Sequence, residues 1–587
     1  MLQDQDLLSI QEVRSKVDQA YAAWQKYLSY TQEQIDAVVE RAAAAARAHS
    51  QRLAELAVQE TGYGNARDKN IKNLLACDIL PRRMRGMKTV GVLRELPEEK
   101  IVEIGVPVGV VAAILPTTNP TSTAIYKTLI SLKAGNAVVV SPHPRAHQCS
   151  CETVSVLAQA AAEAGAPEGL VQCVDTATME GTQALMRHER TGVILATGGS
   201  GIVKAAYSSG KPAFGVGPGN VPVLIDTSAD VEDAVAKVVA GKSFDYGTVC
   251  SSEQAIVAEE SLRDRIVAAL RGQKAYFAND AQRDALGKLL IMANWTVNPK
   301  CVGQPPGKIA KMAGFDVPAD TSILCVEIEG IGKQHPLSAE KLSPVLSLYF
   351  VKDFSAAADA CYGLLKFGGL GHTTVIYAKD EARIRQFGLR MPAMRVLVNT
   401  SAPQGSTGIT TNVFPAMTLG CGAVAGNATS DNIGPMNLIN IKRLAYAVRE
   451  ARDAFETRLN GPAPMDEAID RRMVSAAVER YLAARGIAAG AAAPGVSNIA
   501  AEVVDRFLSE RAVRKLRDGS VPPAPPVSDP SPPPPAPAVQ ITDFVCEADV
   551  RSAIRENRKI YIGARTIVTP SARELAAPSD ILVVAQG

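Results

Sequence analysis

The chain has 587 residues, enough for several domains and a large core. Its 62 basic residues balance 60 acidic ones, so no electrostatic field argues for nucleic acid or an anionic membrane as a partner. No run of about eighteen apolar residues occurs and Met1-Leu2-Gln3-Asp4 begins no basic, apolar secretory signal, which makes a cytoplasmic protein the expectation.

The N-terminal stretch reads as helix. Thr31-Gln32-Glu33-Gln34 is a capping box, and Ile35, Val38, Val39, Ala42, Ala46, Leu53 and Leu56 recur at helical spacing behind it. From about residue 104, short β-rich runs alternate with helices. Strands are expected at 108–115, 137–140, 171–174, 193–196 and 221–225, and helices at 121–133 and 151–164. Continuous apolar strands alternating with helices point to an α/β fold built on doubly wound parallel sheets, which bind ligands at the carboxyl ends of their strands. Three loops fall there: Pro116-Thr117-Thr118-Asn119-Pro120, Ser141-Pro142-His143-Pro144-Arg145 and Thr197-Gly198-Gly199-Ser200-Gly201. The last opens a helix whose N–H groups suit a phosphate, although it is not the GxGxxG fingerprint.

The stretch Phe244-Asp245-Tyr246-Gly247-Thr248-Val249-Cys250-Ser251-Ser252-Glu253 offers Cys250 as a nucleophile, with small neighbours leaving room beside the sulfur; on spacing alone a buried, inert thiol, the fate of most cysteines, is the commoner reading. The ten cysteines are scattered, which suits reduced thiols. Cys149-Ser150-Cys151 alone is a poor ligand set and His143 and His147 lie in a Pro-rich loop, so no metal is expected. A second α/β region runs to about residue 435. Beyond residue 456, 466–485 and 497–516 read as amphipathic helices, and 522–537 carry ten prolines that specify an extended linker. Asp543 to Gln586 reads as helix, strand, helix, strand, with Thr569-Pro570 capping the second helix.

Glu60-Thr61-Gly62, Asp68-Lys69-Asn70-Ile71-Lys72-Asn73, Phe214-Gly215-Val216-Gly217-Pro218-Gly219-Asn220, the Cys250 stretch, Gly369-Leu370-Gly371-His372-Thr373, Thr418-Leu419-Gly420-Cys421-Gly422 and Asn437-Leu438-Ile439-Asn440-Ile441-Lys442-Arg443 together resemble the aldehyde dehydrogenase superfamily, and within it the CoA-acylating branch. The resemblance implies two doubly wound domains with a small oligomerisation flap and a C-terminal helical and Pro-rich extension. The expected divisions are a nucleotide-binding domain at 1–237, a catalytic domain at 238–435, a return segment at 436–456, amphipathic helices at 457–520, the linker at 521–538 and a small module at 539–587.

By the same resemblance Cys250 is the nucleophile and Asn119 its oxyanion-hole donor, together with the Cys250 backbone N–H. Thr117, Ser141, Pro142, His143, Gly199, Ser200, Gly217 and Glu340 are implied to contact NAD, with NADP left open because Ser141 replaces the lysine of many relatives. Hydrolytic relatives carry a glutamate where Gly215 stands; its absence implies CoA as acyl acceptor, with Glu253 as the alternative activator of water. A short aldehyde is the expected substrate (acetaldehyde or propionaldehyde, with sulfoacetaldehyde as alternative), and the Gly422–Gly426 loop is expected to shape its pocket. The resemblance implies a homo-oligomer. The tail resembles the encapsulation peptides of bacterial microcompartments, which implies a place in their lumen; an oligomerisation arm is the other reading.

Overall fold

The computed structural model describes residues 4–455, 476, 480, 542–556, 558–576 and 581–584. Met1–Leu459 and Asn460–Gly587 form two separate units. The helices expected at 466–485 and 497–516 and the proline linker lie outside the described residues, apart from helical positions 476 and 480.

In the first unit the capping box forms as expected: the Gln34 N–H donates to Thr31 Oγ1 at 3.3 Å and the Thr31 N–H to Gln34 Oε1 at 2.9 Å. The helix behind it, Gln32–Thr61, buries Ile35, Val38, Val39, Ala42, Ala46 and Leu53 along one stripe. Strands β1 (Gly91–Leu96) and β2 (Ile101–Pro107) make an antiparallel pair.

Next, β3 (Val110–Ile114), β4 (Ala137–Ser141), β5 (Val171–Cys173), β6 (Thr191–Thr197) and β7 (Ala213–Val216) form a parallel sheet in the order β5-β4-β3-β6-β7. The strand order reverses between β3 and β6, which opens a crevice at their carboxyl ends. Lys127, buried on the helix Pro120–Lys133, clamps that edge by donating to the carbonyls of Ile114 (2.6 Å) and Leu195 (2.8 Å).

The second sheet contains β8 (Val221–Ile225), β9 (Glu253–Glu259), β10 (Tyr276–Phe277), β11 (Leu324–Glu327), β12 (Val345–Val351), β13 (Gly371–Tyr377) and β14 (Ala393–Val398), all parallel, in the order β10-β11-β12-β9-β8-β13-β14. This corrects one expectation. Val221–Ile225 was assigned with residues 1–237 to the nucleotide-binding domain, yet it lies inside the second sheet between β9 and β13. The apolar pattern marks a buried strand but not which sheet accepts it. Strand β15 (Ile439–Ala445) returns to pair antiparallel with β2, completing a three-stranded arm whose outer strand leaves Ile441 and Leu444 exposed.

Cysteine usage also departs from expectation. Cys151, on the helix His147–Glu163, and Cys173, at the end of β5, are disulfide-bonded with their Cα atoms 5.5 Å apart. Spacing along the chain could not show that a helix and a neighbouring strand bring these two thiols together.

In the second unit, β16 (Thr542–Val545), β17 (Ile560–Val568) and β18 (Leu582–Val584) form a parallel sheet in chain order, linked by the helices Glu547–Arg555 and Pro570–Ala576. A strand therefore opens this module, where a helix was expected. Thr569 caps the second helix, its Oγ1 accepting from the Ala572 N–H at 3.3 Å. Val545, Val550, Ala553, Ile560 and Ala572 form the module's small core.

Candidate active site

Residues 245–247 all take left-handed backbone angles, with φ of 46° at Asp245, 51° at Tyr246 and 74° at Gly247. For the two non-glycine residues such a turn costs about 1–2 kcal/mol each. Side chains from a distant helix hold it. The Asn65 N–H donates to Asp245 Oδ1 at 2.8 Å, and the Asp245 N–H donates to Asp68 Oδ2 at 2.7 Å. Lys69 and Lys72, three residues apart on the helix Ala66–Leu74, both bring their ammonium groups to Asp245 Oδ2. All three charged groups are buried. Burial alone would raise the Asp245 carboxyl, but Lys72 and Lys69 hold it below the usual range; burial pushes Lys72 down to about 8. The turn delivers Thr248, Val249 and Cys250 to the amino end of β9.

Asn119 stands at the N-cap of the helix Pro120–Lys133 but makes no side-chain capping bond. Its Oδ1 accepts from Lys72, and its Nδ2 faces the Thr248 carbonyl at 3.3 Å and Thr118 Oγ1 at 3.2 Å. Turn chemistry does not explain this asparagine. Its amide is anchored at the oxygen, and its N–H groups are turned toward the segment that carries Cys250.

A cavity of about 600 Å³ is lined by Asn119 and Cys250 together with the three loops at the carboxyl ends of the first sheet. Of the residues implied to contact the nucleotide, Thr117, Pro142, His143, Gly199, Gly217 and Glu340 are on its wall. Two expected residues are not. Ser141 is buried and shares a 2.8 Å hydrogen bond with Thr182 Oγ1, because the last residue of β4 turns its side chain into the protein. Ser200 is exposed outside the cavity wall, one step past the turn that brings Gly199 to it. The Gly422–Gly426 loop does not line the cavity either; Thr407, Met417 and Leu419 do. Its residues 423 and 424 face outward instead.

Cys250 is partly exposed to this cavity, within walls dense enough that burial pushes its thiol up to about 12. The charge of Glu340 pushes the same way, while the Arg395 guanidinium and the Cys250 backbone N–H draw it down. Glu340, itself raised to about 8 by burial, accepts from the Gly219 N–H at 3.1 Å. Arg395 is buried among carbonyls, donating to His372 O at 2.8 Å and Gly420 O at 2.7 Å, and among the described residues no carboxylate pairs with it. His372 is also buried; burial, then Arg395, holds its imidazole neutral, lowered to about 3.

Neither candidate activator of water fits. A Cβ at position 215 would lie 2.7 Å from Val203 Cγ1 and 3.0 Å from the Tyr207 ring, so a glutamate has no room there without displacing both. Glu253 is absent from the cavity wall. It is fully buried against Gly241, accepts from the Ala402 N–H at 2.6 Å, and is raised by burial to about 7.

Sequence reasoning quoted Lys69, Lys72 and Asp245 within motifs but gave them no task, and it missed Lys127 and Arg395. The signal for the first three was two lysines on one helical face; nothing in the chain named the aspartate they would meet.

Comparison with known proteins fits this geometry. Residues 4–284 match the model of the aldehyde dehydrogenase family. The chain is 43% identical over 442 residues to the bifunctional aldehyde-alcohol dehydrogenase of Escherichia coli, covering 74% of this chain and 50% of that protein, so it spans about half the length of that relative. An acetylating aldehyde dehydrogenase from Geobacillus thermoglucosidasius is 48% identical, with a TM-score of 0.76 covering 76% of this chain and 99% of the other. A propionaldehyde dehydrogenase of the Clostridium phytofermentans fucose utilisation microcompartment is 27% identical, with a TM-score of 0.67 over 74% of this chain and 97% of the other. The propionaldehyde dehydrogenase of Rhodopseudomonas palustris, solved with bound CoA and an acylated cysteine, is 29% identical with a TM-score of 0.68, covering 74% and 97%.

Proposed function

The chain belongs to the aldehyde dehydrogenase family, and on that premise we propose that it oxidises a short aldehyde to an acyl-CoA, with Cys250 carrying the acyl group between the two half-reactions. One observation carries this reading. Cys250 and Asn119 share a cavity with the loops of the β3/β6 switch point, while position 215 has no space for a water-activating acid.

The Cys250 thiolate, its proton released to solvent, adds to the aldehyde carbon, and the anchored Asn119 Nδ2 donates to the resulting oxyanion. A nicotinamide nucleotide held against Thr117, Pro142, His143, Gly199, Gly217 and Glu340 supplies the hydride acceptor when bound. Cys250 is left as a thioester. The thiol of CoA then attacks that carbonyl, and the Cys250 sulfur departs. A free thiol near pKa 8.5 is a few per cent thiolate at neutral pH, whereas water near 15.7 needs a base or a metal. The second half-reaction therefore proceeds without the missing glutamate.

We favour NAD over NADP, because Arg145, a cation on the Pro142–Arg145 loop, is engaged by the Tyr63 hydroxyl at 3.0 Å and the Tyr63 ring at 5.1 Å. Acetaldehyde or propionaldehyde fits the wall formed by Thr407, Met417 and Leu419, which offers no cation for a sulfonate. The test is a rapid-mixing assay with and without CoA. One NADH per active site without CoA, and steady turnover to acyl-CoA with it, is the expected result. Acid formed as fast without CoA would establish hydrolysis instead.

The likeness to a microcompartment enzyme, with the amphipathic pattern of 466–485, supports placing the protein as microcompartment cargo, and the exposed β15 supports a homo-oligomer built on the arm. Truncation after residue 456 should keep activity and abolish co-purification with shell proteins. Loss of assembly or folding instead would make the tail an oligomerisation arm.

A further inference from the structure

The helix His147–Glu163 and the end of β5 meet beside the N-terminal helix Gln5–Tyr27, and no residue of either lines the Cys250 cavity. His147 and Cys151 are four residues apart on one helical face; Cys173 and Asp175 are two apart as the chain leaves the strand. The fold thus sets a His-x3-Cys pair against a Cys-x-Asp pair. Ligand atoms of His147, Cys151 and Asp175 lie within 4.8 Å of one another, and the Cys173 sulfur is bonded to that of Cys151.

We propose that His147, Cys151, Cys173 and Asp175 form a zinc-type site for a soft divalent cation when the two thiols are reduced, and that the disulfide is its oxidised, metal-free state.

Two nitrogen, sulfur or oxygen donors from each of two elements make a tetrahedral set, the arrangement zinc takes in structural sites. With bonds of ~2.0–2.3 Å the ligand atoms of such a site sit roughly 3.3–3.8 Å apart, so those of His147, Cys151 and Asp175 need draw together by about 1–1.5 Å, and the Cys173 sulfur, freed from Cys151 on reduction, must turn to join them. A separate observation points to a ligand. His147 Nε2 is buried without a hydrogen-bond partner, a state that costs free energy unless something accepts or coordinates there. The neighbours suit the role. Lys16 holds Asp175 Oδ2 at 2.7 Å and also donates to the Cys173 carbonyl, and Glu12 accepts from the N–H groups of Asp175 (2.5 Å) and Thr176 (2.8 Å). Such contacts fix the direction of ligands. The Asp175 side chain is 68% exposed, which gives the cation a route in from solvent.

The chemistry balances with a dithiol reductant. Two electrons and two protons pass from the dithiol to the Cys151–Cys173 bond, giving two thiols and an oxidised reductant. The cation then displaces both thiol protons.

The probe is Co²⁺ added to metal-free, full-length protein before and after reduction. Reduced wild type should bind one equivalent with a thiolate-to-cobalt charge-transfer band, displaced by Zn²⁺. Cys250→Ser should keep the band; Cys151→Ser and His147→Gln should lose it. Oxidation with diamide should abolish it, and fresh reductant restore it. Zn²⁺ should raise the Tm of reduced wild type and leave that of His147→Gln unchanged, which covers the case of a poorly folded Cys151→Ser. A band that persists in His147→Gln, or reduced wild type that binds no Co²⁺, overturns the proposal.

Discussion

The Nδ2 of Asn119 lies 3.3 Å from the carbonyl oxygen of Thr248, two residues before Cys250, while Lys72 holds the oxygen of the same amide. Asn119 and Thr248, in the segment that leads to Cys250, are thus both tied to one buried lysine. Asn119→Ala should lower kcat by about a hundredfold or more, the range found when one oxyanion donor is removed. Lys72→Met should lower kcat less, with KM for the aldehyde little changed, because it frees the amide to rotate but does not delete it. Steady-state kinetics of both variants check this; an unchanged kcat in Lys72→Met would remove lysine from the positioning role.

Asp245 neutralises two buried ammonium groups and fastens a left-handed turn. Asp245→Asn should destabilise the first unit by about 3–5 kcal/mol, the usual consequence of leaving buried charge unpaired. Urea unfolding followed by intrinsic fluorescence measures it, and a loss below about 1 kcal/mol would mean the lysines find other partners.

The titration of Cys250 has a definite sign. Its thiol is raised to about 12, so in the nucleotide-free protein the reactive thiolate becomes more abundant with every increase in pH below that value. Iodoacetamide alkylation at Cys250 should therefore climb from pH 7 to pH 10 without a plateau. Glu340, raised to about 8, becomes anionic within this window and opposes the thiolate. Glu340→Gln should alkylate faster than wild type at pH 9 and equally fast at pH 6. A plateau near pH 8.5 in wild type would contradict the electrostatic picture.

Position 215 tests whether water can serve as the acyl acceptor. Gly215→Glu places a carboxylate where even a Cβ meets Val203 and Tyr207, so it should yield no CoA-independent turnover and should lower the Tm. A variant that hydrolysed acyl-enzyme freely, measured as acid produced without CoA, would show that the cavity can accommodate the acid after all.

The outer strand of the arm carries Ile441 and Leu444 into solvent, followed by Tyr446 and Val448. Leu444→Asp should shift the protein to a smaller species by light scattering. An unchanged mass would locate self-association elsewhere.

What the chain discloses and what it hides follow a physical division. Periodicity revealed four of the five strands of the first sheet, missing the short Ala213–Val216, and the stripe of Gln32–Thr61, because burial on two faces or one leaves a pattern in the local sequence. The motifs pointed to Cys250, Asn119 and Glu340, and all three line one cavity. Sheet membership of Val221–Ile225, the inward turn of Ser141 and the meeting of Cys151 with Cys173 depend on contacts between distant segments. So does the pairing of Lys72 with Asp245, 173 residues apart. No local pattern encodes these.

The proposed chemistry stands on Cys250 holding the acyl group as a thioester until a thiol takes it. Intact-protein and peptide mass spectrometry after mixing the enzyme with propionaldehyde and NAD, with CoA withheld, tests it most directly. A propionyl adduct confined to the peptide bearing Cys250, discharged within one turnover when CoA is added, is the predicted result. An unmodified Cys250, or an adduct that water removes as quickly as CoA does, would contradict it.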